Sequence, residues 1–128
     1  MKQRTALVLC TALLSLLALF QLALILGVPW GSAAWGGQQD VLPTRYRIAS
    51  AGSIVIYGLM LWVARRRVTK PENRGFRVAA WIVFAYFCLG VLLNGISKSS
   101  VERIWVPVTI VLAWAFFSIA RTSKPQTP

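Results

Sequence analysis

The sequence predicts an all-α integral membrane protein, a four-transmembrane-helix antiparallel bundle with both termini cytoplasmic. Three observations carry that expectation. The 128 residues are 57% hydrophobic and only 13% charged, about half the charge fraction of an ordinary soluble domain. Four long apolar runs occupy most of the chain, and about 20 apolar residues suffice to cross a hydrocarbon core. The basic residues gather in the polar breaks between those runs, where positive charge sets orientation. Residues 1–128 therefore read as a single membrane domain.

Lys2 and Arg4 precede an apolar run over 5–28. As a helix this run measures about 36 Å, enough to cross with tilt, and it is too long for the apolar core of a signal peptide. Gln21 is its one strongly polar interior residue. Residues 29–44 form a Trp- and Gly-rich loop, in which Pro29, Gly31, Gly36, Gly37 and Pro43 break helical regularity. Thr44 is placed to cap a second span over 45–64. Ala49 and Ser53 form a small-residue pair on that span, and Gly52 and Gly58 add sites of close helix contact.

Residues 65–77 form a basic loop. Within it Thr69 and Glu72 have capping-box spacing, with Pro71 in the first turn of the helix that would follow. The third span covers 78–96, and its Gly90 and Asn94, four apart, share a face. Ser99 and Glu102 repeat the capping-box spacing before a fourth span over 100–120. Pro107 falls inside that span, where it should kink the helix and free the carbonyl of Arg103.

Orientation follows from counting basic residues by side. The two ends of the chain and the 65–77 loop together hold ten, whereas Arg45, Arg47, Lys98 and Arg103 are the four of the other two loops. The positive-inside rule puts the ten in the cytoplasm and the Trp-rich loop outside. The expected location is a multi-pass protein of a bacterial-type plasma membrane.

The same residues narrow the chemistry. Net charge is +11, but the cations flank apolar runs and form none of the basic modules that read nucleic acid. Anionic lipid headgroups are the expected partners of Arg65, Arg66, Arg67 and Lys70. There is no His, which removes the commonest general base and metal ligand. Cys10 and Cys88 are isolated and form no redox or metal pair. No metal, no cofactor and no catalytic set is expected, so the residues point away from an enzyme. None of the three acids, Asp40, Glu72 and Glu102, lies in the middle of a span, whereas ion-coupled carriers usually need a carboxylate there.

The candidate ligand site lies at the outer end. Arg45 and Arg47 occupy the first turn of the second span and Arg103 the first turns of the fourth. Helix N-termini disfavour cations, and Asp40 and Glu102 compensate only part of the charge. Trp30 and Trp35 stand in the same loop region, and Asn94 closes the third span there. The set Trp30, Trp35, Asp40, Arg45, Arg47, Asn94, Glu102 and Arg103 thus describes an outer mouth for an anionic or amphipathic molecule. The plainer alternatives are arginines snorkelling to headgroups and an interfacial aromatic belt. Gln21, Ser53, Tyr57, Tyr86, Asn94 and Thr109 form a buried polar set expected to hydrogen-bond across helices. The functional expectation is a small binding or transport protein for an amphipathic or anionic small molecule or lipid, working as a homo-oligomer. The alternative is an accessory or scaffold subunit held by a membrane protein partner.

Overall fold

A computed structural model describes residues 1–30, 41, 43–96 and 102–122, without the side chain of Glu102. The described elements are helical: α1 (Gln3–Ile25), α2 (Thr44–Thr69), α3 (Arg74–Gly95), a 3-10 turn (Glu102–Ile104) and α4 (Trp105–Ala120). The first three are long and apolar enough to cross a membrane, and α4 is apolar but shorter, with 16 residues. As a helix α4 measures about 24 Å, and the preceding 3-10 turn adds about 6 Å.

Local chemistry sets each boundary. α1 stops at Gly27, whose φ of 93° only glycine adopts cheaply. The Gly27 N–H donates to the Leu24 carbonyl and the Val28 N–H to the Ala23 carbonyl, the paired bonds of a Schellman end. Pro29 then prevents continuation. The helix is thus shorter at this end than the apolar run over 5–28, because apolar character continues past the glycine that ends it. α2 opens on Thr44, with Pro43 before it and no side-chain cap.

The basic segment departs most from expectation. α2 runs on to Thr69, so Arg65, Arg66 and Arg67 are helical rather than part of a loop. Basic residues in a last helical turn complement the partial negative charge there. Thr69 caps nothing: its hydroxyl donates back to the Arg65 carbonyl at 3.0 Å. The cap of α3 is Asn73, whose Oδ1 accepts from the Phe76 N–H at 3.1 Å. Four residues therefore turn the chain between α2 and α3. Pro107 also behaves differently, because α4 begins only at Trp105. The proline sits in a first turn, where its missing N–H has no helical partner to lose. The Ser99–Glu102 capping pair lies outside the described residues.

α1 packs against α2 and α4, α3 packs against α2 and α4, and α2 touches α4 more weakly across the middle. The core combines large side chains, among them Leu14, Phe87, Leu112 and Phe116, with fully buried Ala6, Ala64, Ala80 and Ala115. Small residues at helix contacts let backbones approach closely. Phe87 and Phe116 join α3 to α4, with ring centroids 5.6 Å apart. The outward faces are apolar too: Leu19, Ile48, Ile82 and Leu93 are more than half exposed. A water-soluble helix would carry polar residues there, and a hydrocarbon surrounding needs none.

Phe116→Ala should cost about 3–5 kcal/mol of stability by opening a cavity between α3 and α4. Leu93→Ala, on an outward face, should change little. Thermal unfolding of both variants in detergent micelles checks this, and equal losses would contradict the assigned core.

Candidate functional site

At the end bearing the Trp-rich loop, only part of the expected site falls within the described residues. Trp35, Asp40 and the side chain of Glu102 lie outside them. Trp30 is exposed just after the Schellman end of α1. The Arg45 guanidinium lies over the ring of Tyr46, 4.9 Å from its centre. Arg47 reaches the end of α1, with an Nη atom 3.5 Å from where a Cβ on Gly27 would stand. A helix C-terminus is partially negative, so α1 supplies Arg47 with compensation that the sequence reading sought in Asp40. Around this point Phe20 and Tyr46 pack on buried Leu24, and Phe20 meets Trp105 edge-on at 4.8 Å. Arg103 is exposed in the 3-10 turn. The Asn94 amide donates to the Gly90 carbonyl of its own helix at 2.9 Å. The described contacts do not join Asn94 or Arg103 to the arginines of α2.

Part of the buried polar set, Ser53, Asn94 and Thr109, turns inward on its own helices. Ser53 donates to the Ala49 carbonyl, and Thr109 donates to the carbonyls of Trp105 and Val106. Hydroxyls four residues past a carbonyl bond back to it readily, so these residues are satisfied without crossing to a neighbour. Gln21 is buried with its Oε1 unpartnered, while its amide lies within hydrogen-bonding reach of the Tyr57 hydroxyl across α1 and α2, as the expectation of bonds between helices has it.

The opposite, basic end holds the more organised chemistry. Arg67 is 2% exposed and therefore stands apart from the headgroup-facing cations expected at 65–70. Its Nε–H and one Nη2–H donate to the Ala120 carbonyl, at 3.2 and 2.8 Å. Nη2 also donates to the Thr122 carbonyl at 2.7 Å, and Nη1 to the Pro71 carbonyl at 2.6 Å. Ala120 closes α4, so this guanidinium caps carbonyls that a helix end leaves without intrahelical partners. The planar fork of arginine allows one side chain to serve three acceptors.

Beside this cap lies an open cleft of about 560 Å³, lined by Arg67, Pro71, Glu72, Arg77, Trp81, Ala120, Arg121 and Thr122. Three guanidinium groups face one carboxylate across it, leaving a positive surplus that an anion would relieve. Arg67 has committed most of its donors to backbone, whereas Arg77 and Arg121 are exposed. Thr122 is 4% exposed, and its Oγ1 has no hydrogen-bond partner. The Arg121 guanidinium lies 5.2 Å from the centre of the Phe117 ring.

Sequence reasoning missed this end as a site, although a signal was present. Met60, Ala64, Arg67 and Val68 are the buried residues of the second half of α2, at the spacing of one helical stripe. Extending that period past Ala64 puts Arg67 on the core face and Arg65 and Arg66 outside. Among the described residues no group of three or more metal-ligating side chains comes together.

No protein-family model, curated protein or solved structure matches the chain.

Gly27→Ala should destabilise by about 1–2 kcal/mol, since an L-residue at a φ of 93° is strained. Gly58→Ala, with open space around it, should be neutral or stabilising, because alanine favours helix. Thermal melts of the two variants in micelles separate the outcomes.

Proposed function

We propose that the chain is a small multi-pass protein of the plasma membrane, with four antiparallel spans and both termini cytoplasmic. It binds an anionic or amphipathic small molecule or lipid rather than catalysing a reaction. The observation that carries this reading is the basic cleft, where exposed Arg77 and Arg121 line one cavity with Trp81. Ligand sites characteristically combine such a concavity with a few converging polar groups. The positive-inside count gives the cleft a cytoplasmic position. Arg65, Arg66 and Lys70, exposed around it, suit anionic headgroups. The expected outer set of Trp30, Trp35, Asp40, Arg45, Arg47, Asn94, Glu102 and Arg103 remains a second surface for an anion.

Binding suits this chain better than passage through a single copy. The space between its helices is filled by Leu14, Phe87, Leu112 and Phe116, so transport would require a homo-oligomer. One observation favours the accessory-subunit reading. Gly52 and Gly58 on α2 have open space where a Cβ would point, and small residues admit a neighbouring helix.

Native mass spectrometry of the protein ejected from its own membranes tests both. The binding reading predicts a retained anionic molecule, and the accessory reading predicts a stoichiometric second protein. A bare chain would overturn the binding reading.

A further inference from the structure

We infer that the ligand of the basic cleft is an anionic phospholipid. Its phosphate sits between Arg77 and Arg121, and one acyl chain lies against the rings of Trp81, Phe84 and Phe117. This rests on the reading of the cleft as an anion site and adds the chemical class of the anion.

The spacing of residues carries the argument. Arg77, Trp81 and Phe84 stand at i, i+4 and i+7 on α3, one face of a helix. Phe117 and Arg121 stand four apart at the end of α4. The three rings touch: Trp81 lies 5.7 Å from both Phe84 and Phe117, and Phe84 lies 5.5 Å from Phe117. Trp81 belongs to this ring cluster and also lines the cleft. The cationic cleft and the apolar ring surface are therefore continuous. Seven residues of helix separate Arg77 from Phe84, about 10 Å along the axis. A polar head at one end and an apolar face running into the span is the layout of an amphiphile.

The donors select phosphate over carboxylate. Arg77 comes from α3 and Arg121 from beyond α4, so two exposed forks reach the anion from different elements. A tetrahedral phosphate offers acceptor oxygens in several directions, whereas a carboxylate offers two in one plane. Guanidinium forks bind phosphate in bidentate fashion. Glu72 lines the same cleft and disfavours a second anion beside the first.

The test uses the full chain in zwitterionic detergent. Native mass spectrometry reads retention of phosphatidylglycerol, oleate and inorganic phosphate in turn. Phosphatidylglycerol should be retained best, by about tenfold over oleate. Arg77→Gln with Arg121→Gln removes two charge-assisted contacts and should weaken phosphatidylglycerol by about a hundredfold. Lys2→Gln with Arg4→Gln removes the same charge from exposed residues of the same basic side, outside the cleft, and should change retention little. Trp81→Ala should weaken the lipid and leave inorganic phosphate unaffected. If oleate matches phosphatidylglycerol and both are lost with Arg77 and Arg121, the phosphate assignment is overturned and the anion site stands. If inorganic phosphate binds as well as the lipid, the acyl-chain contact is overturned. If the two double variants lose retention equally, the attraction is diffuse and the cleft falls as a site, together with the reading beneath it.

Discussion

One guanidinium ties the basic end of this protein together. Arg67 leaves α2 in its last turns, enters the core face and donates to carbonyls of Pro71, Ala120 and Thr122. A buried charge is tolerated only when hydrogen-bonded throughout. Here the acceptors are the carbonyls that a helix end leaves orphaned, with the negative end of the α4 dipole behind them. The same bonds connect three parts of the chain: the end of α2, the turn into α3 and the end of α4. Without this contact a buried cation and three carbonyls would be left unpaired.

That cap also shapes the cleft. It fixes Pro71 on one wall and Ala120 and Thr122 on the other, and it spends the donors of Arg67 on backbone. The cations left exposed around the cavity are Arg77 and Arg121, one on the first turn of α3 and one just past α4. Anchoring by Arg67 and binding by its neighbours are thus separate roles within one basic cluster. Cations that line one cleft favour an anion between them. Trp81 then carries the polar cleft over into the ring cluster of α3 and α4, which gives the site an apolar side as well.

Much of this architecture was legible in the residues. The three long apolar helices follow from uninterrupted hydrophobic runs, whereas the end of α1 before Gly27 falls inside the run over 5–28 and did not stand out from it. The capping residues were harder to read. Thr69 and Glu72 have the right spacing for a box, but α2 continued through Thr69 because Met60, Ala64 and Val68 gave it a core face to bury. Asn73, the actual cap, lies next to Glu72 and was hidden by the stronger pattern. Pro107 read as a kink because the start of α4 was placed five residues early. The candidate site was less legible still. A run of three arginines looks uniform in sequence, and only the helical phase separates buried Arg67 from exposed Arg65 and Arg66. The Arg77–Trp81–Phe84 stripe spans what composition divides into a loop and a membrane span, so neither half suggested a site alone.

The central claim is that Arg67 acts through the geometry of its fork and not through its charge alone. Thermal unfolding of Arg67→Lys beside Arg66→Lys, in the same micelles, tests it most directly. Lysine keeps the charge but cannot reach three carbonyls at once, and each buried acceptor left without a donor costs about 1–3 kcal/mol. Arg67→Lys should therefore melt well below the parent protein while Arg66→Lys melts with it. Coincident melting of all three would contradict the account.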